Sequence, residues 1–430
     1  MKSHKRNVEA CLLFVSSTII VVAYVLASIG RYSSLPANIV PFFIIVVLLF
    51  VAAHIAMRRF APHANPTLLP VAGTLNGIGY VVIARLQDEL AGLQALWILI
   101  SILAFIIILA KGSPVRQYQR YKYSFLLLGF LLLILPLFPL VGQEINGARI
   151  WVSIGPLNFQ PAEFAKISLA IFFAGYLVER REILSITNSK IMGISTPDPR
   201  HVGPLVFAWI ISLVIMVMEK DLGSSLLFFI LFLSLLWVAT QRNIYLLIGS
   251  TLFLSGSIFA WGQFSHVQKR VDIWLHPFSD PTGDGYQIVQ SSFALAEGGL
   301  TGTGLGLGTP DRIPAAETDF IFSAIGEELG LIGTTSILIA FILIIHNGFR
   351  IALNVEKPFE KLLTVGLTAL LGFQAFIIIA GVIRVLPLTG VTLPFVSYGG
   401  SSLLSNWIIL AILLLISNER NQKQVERERT

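Results

Sequence analysis

The sequence predicts an all-α integral membrane protein, a polytopic bundle of about twelve transmembrane helices with one large extracytoplasmic loop. Of its 430 residues, 55% are hydrophobic and only 13% are charged, whereas a soluble protein carries about 25% charged residues. The mean hydropathy is +0.79. The apolar residues form runs of about 20, the length of a helix that crosses a bilayer. This composition excludes a soluble enzyme, and the chain lacks the alternating pattern of an outer-membrane β-barrel.

Twelve apolar runs define the predicted helices, and Pro and Gly mark the boundaries between them. The runs lie near residues 9–29, 38–56, 67–84, 92–110, 123–141, 163–178, 203–218, 222–239, 243–262, 320–346, 362–383 and 403–417. The first run contains the single cysteine, Cys11, so no intrachain disulfide can form. It follows the basic sequence MKSHKR, and no small-residue cleavage site comes after it. These features predict an uncleaved helix rather than a signal peptide.

The runs also predict how the chain is organised. Two additional N-terminal helices occupy residues 1–64, seven helices occupy 65–263, the large loop occupies 264–319, three helices occupy 320–418 and a basic tail occupies 419–430. When both termini are cytoplasmic, 21 of the 30 Lys and Arg residues fall on the cytoplasmic side, as the positive-inside rule requires. The net charge of +6 is therefore a topology signal and does not predict binding of nucleic acid.

The large loop is acidic in a protein that is basic overall. Residues 264–319 contain seven acidic and three basic residues, a net charge of −4. Segments of this length are usually either functional or disordered, and the sequence VQSSFALAEGGL predicts a short amphipathic helix here, so we expect an ordered loop. The sequence GTGLGLG, residues 302–308, follows no strand and predicts a packed loop or hinge rather than a nucleotide site.

One short stretch of the loop, SDPTGDGYQ, places a carboxylate on a bend. Pro281 biases Asp280 toward an extended conformation, and Gly283 and Gly285 permit a tight turn. Tyr286 and Gln287 follow. The residues alone allow two interpretations: a turn with a solvated aspartate, or a positioned general base or metal ligand.

Other charged residues lie near the predicted helix ends. Glu163 and Lys166 are spaced to pair on one helical face, or Lys166 and Arg149 could instead meet an anionic headgroup. The sequence MEKDLGSS predicts a short external turn. The histidines show no metal-ligand spacing.

Three further ionisable residues lie in or beside the last runs. Glu327 and Glu328 fall inside the tenth run, where such groups usually face a cavity or a partner. Arg384 is either an anion ligand or a helix-end residue that extends to the membrane surface. From the residues alone, a transporter, a lipid-processing enzyme and a scaffold are all open.

Five motifs resemble, in order, those of the SEDS family of bacterial cell-wall proteins. They are FQPAEFAK (159–166), EKDLGSS (219–225), SDPTGDGYQIVQS (279–291), ETDFIFSAIGEELGLIG (317–333) and LPFVSYGGSSLLSN (393–406). Together with GARIW, ATQRN and the two additional N-terminal helices, they are most similar to the RodA-type members of actinobacteria.

The resemblance implies a peptidoglycan glycosyltransferase. Such an enzyme polymerises lipid II into glycan strands on the outer face of the cytoplasmic membrane, for cell elongation and shape. It works beside a class B penicillin-binding protein, which cross-links the product. The resemblance identifies Asp280 as the general base and implies a divalent cation, Mg²⁺ or Mn²⁺, for which the sequence shows no ligands.

The resemblance also suggests residues that bind or support the binding of lipid II. The candidates for contact with its pyrophosphate and sugars are Arg149, Trp151, Lys166, Arg270, Tyr286, Gln287, Arg384 and Ser397. Glu163 and Glu328 are candidates for placing Lys166 or another cation. The sequence departs from relatives at Arg149, which stands two residues before Trp151 rather than next to it, and at Asn158, where some relatives carry a basic residue.

Two rival functions belong to different classes. A lipid II flippase would depend on the charges Glu327, Glu328 and Arg384, and not obviously on Asp280, but the sequence shows no inverted repeat of the kind common in transporters. A scaffold would recruit the penicillin-binding protein and have no chemistry of its own.

Overall fold

The computed structural model describes residues 2–36, 39–112, 115–139, 141–145, 148–154, 157–185, 189–191, 194–196 and 199–427. Gly147 of the GARIW sequence and the last three residues of the basic tail lie outside these ranges.

Fifteen α-helices occur in the described part of the chain. They are α1 (Lys2–Tyr32), α2 (Ile39–Phe60), α3 (Leu68–Leu86), α4 (Asp88–Lys111), α5 (Arg116–Arg120), α6 (Lys122–Ile134), α7 (Ala162–Ser185), α8 (Pro199–Met218), α9 (Leu222–Thr240), α10 (Asn243–Gln263), α11 (Ser265–Leu275), α12 (Tyr286–Gly298), α13 (Ile321–Asn354), α14 (Pro358–Val382) and α15 (Gly400–Arg427). Twelve of them coincide with the twelve apolar runs: α1–α4, α6–α10 and α13–α15. The helical fold class is therefore confirmed.

The exact number of membrane crossings stays a prediction. Within the described ranges, nine helices are long and apolar enough to span a bilayer, namely α1–α4, α9, α10 and α13–α15. Two shorter apolar helical segments cover Lys122–Leu137 and Leu205–Met218. The remaining helix, α7, carries charged residues near both ends. The boundaries of the five sequence regions likewise stay predictions.

Five short strands were not predicted from the sequence. Strands β1 (Gly142–Ile145), β2 (Ala148–Ile154) and β3 (Leu157–Phe159) form an antiparallel sheet between α6 and α7. Gln143 pairs with Trp151, and Val152 pairs with Phe159. Strands β4 (Ser189–Ile191) and β5 (Ile194–Thr196) form a separate hairpin. The β-branched and aromatic residues of β2 favour an extended conformation.

The chain divides into two compact units. The first comprises Met1–Gly112, His266–Asn347 and Gln374–Thr430, and the second comprises Ser113–Ser265 and Gly348–Phe373. In the first unit, α15 packs against α4 and is buried along most of its apolar length. The Trp407 ring meets Phe105 edge-on at 5.4 Å. A Cβ on Gly400 would lie 1.9 Å from the Trp97 ring, so the glycine allows this close packing.

The second unit is built around α6–α9. The Trp209 ring stacks on the Phe232 ring with centroids 4.9 Å apart, and the Phe173 ring meets the Phe232 ring edge-on at 5.5 Å. These aromatic contacts join α7, α8 and α9 into one core. In contrast, α10 is mostly exposed, and of its residues only Tyr245 is buried.

Helix α13 has a kink that the sequence does not predict. Gly330 has φ +64° and ψ −160° inside the helix, a conformation that is practically restricted to glycine. A Cβ there would lie 2.3 Å from the backbone nitrogen of Gly302 and 2.6 Å from the oxygen of Leu300. The kink therefore lets the large loop approach the α13 backbone.

Candidate active site

Asp280 lies in an exposed turn between α11 and α12, and its carboxylate is held by backbone groups. Oδ1 accepts a hydrogen bond from the Gly283 N–H at 3.0 Å, and Oδ2 accepts one from the Asp284 N–H at 3.0 Å. Its backbone oxygen accepts from the Gly285 N–H. An ionised carboxylate has about four acceptor positions, and these two bonds use only half of them. The carboxylate is thus oriented, and about half of its acceptor positions are left for further hydrogen bonds.

The two glycines of the turn differ in what a side chain would contact at each position. A Cβ on Gly283 would lie 2.1 Å from Asp280 Oδ2, and one on Gly285 would lie 2.2 Å from the backbone oxygen of Pro277. The first contact is to a movable side chain, whereas the second is to backbone. A side chain at position 283 would therefore displace the Asp280 carboxylate, whereas a side chain at position 285 would displace the backbone of the turn.

Helix α12 connects this turn to α13. Tyr286 and Gln287 form its first turn, where both are half-buried, and Gln287 Nε2 donates to the Pro314 oxygen at 2.9 Å. Farther along, the Ser291 and Ser323 hydroxyls share a hydrogen bond of 2.6 Å. These contacts fix α12 on the segment that leads into α13 and on α13 itself.

Arg270 and Asp319 flank one glycine in the first unit. Arg270 Nη1 donates to the Leu388 oxygen at 3.1 Å. A Cβ on Gly390 would lie 3.5 Å from Asp319 Oδ2 and 4.0 Å from Arg270 Nη2. Burial raises the pKa of Asp319 to about 6, although the Thr318 hydrogen bond and the Arg270 charge act in the opposite direction. Asp319 is not among the site residues predicted from the sequence.

Arg384 attaches α11 to the segment after α14. Its Nη2 donates to the Trp274 oxygen at 3.3 Å, and Trp274 Nε1 donates to the Arg384 oxygen at 3.0 Å. The backbone of Arg384 has φ +63°, which is uncommon for a side chain of this size. Its Nε is buried and has no hydrogen-bond partner among the described residues. Arg270 and Arg384 therefore both join α11 to residues 384–390.

Ser397 is engaged within the protein. Its hydroxyl donates to the Thr318 oxygen at 2.6 Å and accepts from the Leu393 N–H at 2.8 Å. The Tyr398 N–H donates to the Glu317 oxygen at 2.8 Å. The segment before α15 is thus fastened to the segment before α13, and this geometry favours a structural use of the Ser397 hydroxyl.

The cation beside Glu328 is Arg85, at the end of α3. Arg85 Nε lies 2.6 Å from Glu328 Oε1, and both side chains are buried. Arg85 also donates to the Gly308 oxygen at 2.6 Å and to Asp311 Oδ1 at 3.2 Å. The neighbouring Glu327 accepts from the Thr309 N–H at 2.5 Å. Sequence reasoning missed Arg85, which directly follows the third apolar run, 67–84, and belongs to none of the five motifs.

The remaining candidates belong to the second unit. Lys166 Nζ lies 2.5 Å from Glu163 Oε2 within α7, and both side chains are buried. Trp151 and Arg149 are half-buried on β2. The Arg149 N–H donates to the Glu219 oxygen at 3.3 Å. The sheet is therefore joined to the turn between α8 and α9.

Glu219 is a buried carboxyl group that sequence reasoning treated only as part of an external turn. The residue is 1% exposed, and neither carboxylate oxygen has a hydrogen-bond partner within the described ranges. Burial, assisted by the charge of Asp221, raises the pKa of Glu219 to about 9. The turn itself is confirmed: Asp221 caps α9 by accepting from the Ser224 N–H at 2.9 Å.

A divalent cation is not accounted for by these side chains. Among the described residues, no group of three or more His, Cys, Asp or Glu is placed to hold a metal ion.

Comparisons with known proteins agree on one family. The family model described as "Cell cycle protein", which covers FtsW, RodA and SpoVE, matches residues 87–422. The peptidoglycan glycosyltransferase RodA of Mycobacterium tuberculosis is 45% identical over 96% of this chain and 91% of its own. A probable peptidoglycan glycosyltransferase FtsW of Geobacter metallireducens is 37% identical over 72% of this chain and 80% of its own. A solved structure of a peptidoglycan synthase complex that coordinates polymerization and crosslinking matches with TM-score 0.69 and 27% identity, over 83% of this chain and 98% of the other.

Proposed function

Because the chain belongs to the family of FtsW, RodA and SpoVE, we propose that it is a peptidoglycan glycosyltransferase that polymerises lipid II for cell elongation. The observation that carries this proposal is the near full-length identity to a RodA relative, which exceeds the identity and coverage of the FtsW relative. The chain is an integral membrane protein. We place both termini in the cytoplasm and the large loop outside, on the basis of the distribution of Lys and Arg.

In the proposed reaction Asp280 is the general base. The 4-hydroxyl of the acceptor sugar attacks the anomeric carbon of a lipid-linked sugar, and the lipid pyrophosphate leaves with the bonding electrons. The Asp280 carboxylate takes the proton of the attacking hydroxyl. Its exposure and its two backbone hydrogen bonds support this role, since they orient an acceptor toward solvent.

The pyrophosphate leaving group needs positive charge rather than a second acid. Preorganised cations stabilise charge that develops in a transition state. Arg384 is the best supported ligand, because its buried Nε has no hydrogen-bond partner among the described residues. Arg270 lies at the same contact between α11 and residues 384–390, where its Nη1 donates to the Leu388 oxygen. Arg149 and Lys166 stay candidates from the sequence, with Trp151 and Tyr286 as candidate sugar contacts, and Glu163 supports Lys166.

The partner proposed is a class B penicillin-binding protein. The structural relative is a complex that combines polymerization with crosslinking, and this supports a transpeptidase beside this chain.

A flippase is less well supported, because the two glutamates it would use, Glu327 and Glu328, are bound to the large loop and to Arg85. A requirement for Mg²⁺ or Mn²⁺ rests on resemblance alone and is tested by activity in EDTA, with and without added metal.

The deciding experiment measures glycan products from labelled lipid II with purified protein and its partner in liposomes. Asp280→Asn is compared with Asp284→Asn, a matched exposed acid that pairs with Lys269 at 2.6 Å. We expect polymer from wild type and Asp284→Asn, and none from Asp280→Asn.

The asparagine amide would face the Asp284 N–H, so melting temperatures must accompany the activities. Polymer from a folded Asp280→Asn variant would make Asp280 structural. If the wild-type protein made no polymer with its partner present, transport or scaffolding would be the better supported function.

A further inference from the structure

The outer end of α1 touches the glycine segment, defined here as residues 302–308, through backbone contact. A Cβ on Gly30 would lie 2.2 Å from the backbone oxygen of Leu305. Conversely, a Cβ on Gly306 would lie 2.3 Å from the oxygen of Ala27 and 2.8 Å from the nitrogen of Arg31. The contact therefore requires glycine on both sides. Gly306 also has φ +80°, which favours glycine independently.

The opposite side of the glycine segment is attached to α13 and α3. The Thr303 and Gly304 N–H groups donate to the Glu327 and Glu328 backbone oxygens at 2.9 and 3.0 Å. Arg85 donates to the Gly308 oxygen. The segment is thus held between α1 on one side and the α13–Arg85 pair on the other.

The same segment continues directly from the helix that follows the Asp280 turn. Helix α12 begins six residues after Asp280 and ends at Gly298, where a Cβ would lie 1.9 Å from the Gly326 oxygen. The Gly302 N–H then donates back to the Gly298 oxygen at 2.8 Å. The glycine segment is therefore attached to the C-terminal end of α12, and the N-terminal end of the same helix adjoins the Asp280 turn.

We propose that α1 is a positioning element of the polymerase, and that the Gly30–Gly306 contact holds the glycine segment so that the Asp280 turn keeps its productive position. This assigns a role to a helix that lies outside the family match at residues 87–422. The proposal rests on the glycosyltransferase function. Helix α1 is well suited to the role because it is fixed on α3, where Thr74 donates to the Ser16 hydroxyl at 2.7 Å.

The size of the expected effect follows from the contact distance. Ordinary contact begins at 3.4 Å, so a Cβ on Gly30 must push the Leu305 oxygen away by about 1.2 Å. A misplacement of about 1 Å at a reacting group can lower a rate by about 10²-fold. We expect Gly30→Val to lower kcat by about 10-fold to 10²-fold and to change KM for lipid II less than twofold.

The test compares Gly30→Val with Gly92→Val in the full-length protein with its partner. Gly92 lies near the start of α4 and has nothing within 4 Å of its Cβ position, so it controls for a valine in a membrane helix. Hydrogen exchange of residues 302–308 is measured in parallel, together with the melting temperature. We expect faster exchange of these amides and a lower kcat per folded molecule in Gly30→Val alone.

Two outcomes would overturn the proposal. If exchange and kcat match those of Gly92→Val, α1 does not hold the segment. If exchange rises while kcat is unchanged, the contact exists but does not position the turn. The exchange measurement does not depend on polymerase activity. A wild-type protein without activity would therefore refute the proposed function, while the exchange data would still report on the contact.

Discussion

Replacing Gly283 by alanine should move the proposed base without unfolding the protein. The new Cβ would lie 2.1 Å from Asp280 Oδ2 and 2.8 Å from Oδ1. To reach a contact of 3.4 Å, the carboxylate must retreat by about 1.3 Å. That movement breaks its hydrogen bonds with the Gly283 and Asp284 N–H groups, which are both 3.0 Å long.

Gly283→Ala should lower the free energy of unfolding only slightly but should lower kcat strongly. The turn is exposed, so water replaces both lost hydrogen bonds, and we expect a loss of about 1 kcal/mol in the free energy of unfolding. Gly283 is not among the glycines with positive φ, so alanine strains no backbone. A base displaced by more than 1 Å should lower kcat on the order of 10²-fold.

The assay is the initial rate of glycan synthesis from labelled lipid II, with the melting temperature in the same detergent. Thr282→Ala changes the neighbouring exposed residue and should leave both quantities near wild type. A Gly283→Ala protein with wild-type kcat would refute the reasoning, because it would show that the observed placement of the carboxylate does not limit the reaction.

Two further predictions concern stability. Glu328→Gln removes one charge of the buried pair with Arg85 and should lower the free energy of unfolding by about 3 kcal/mol. Asp311→Asn, at the exposed partner of the same arginine, should lower it by less than about 1 kcal/mol. Equal losses of stability in chemical denaturation would contradict this difference. The second uses Glu219, whose pKa of about 9 lies above the usual value of 4.5. The folded state then binds the proton more tightly, so stability is fully present below pH 4.5 and falls as pH rises toward 9. Melting temperatures from pH 5 to pH 9 should fall more steeply for wild type than for Glu219→Gln, and parallel curves would show that Glu219 is not the responsible group.

The helices could be predicted because their signal is local. Each of the twelve apolar runs coincides with a helix. The kink at Gly330 could not, because its reason is the approach of residues 300–302, about 30 positions away. The sheet β1–β3 was missed because its strands are short and lie between two strong helical signals.

The site shows the same division. The SDPTGDGYQ sequence itself indicates a turn that presents Asp280, and the structure has that turn. Arg85 and Glu328 are 243 positions apart, so the sequence around one residue does not indicate that it pairs with the other. The burial of Glu219 likewise comes from packing of the second unit, so the sequence around it reads as an ordinary external turn.

The fastening of Ser397 and Tyr398 to the segment before α13 has a consequence for biosynthesis. Residues 317 and 318 bind partners that are made about 80 positions later, and the His63 N–H binds Asn418, 355 positions later. A chain is synthesised from its N-terminus, so the large loop, residues 264–319, can be made in full before its attachments exist. We therefore expect the protein to become active only after α15, the last helix, has entered the membrane. A product truncated before residue 393 retains Asp280 and every residue of the loop, yet lacks these attachments. Premature termination should therefore yield inert fragments rather than unregulated polymerases.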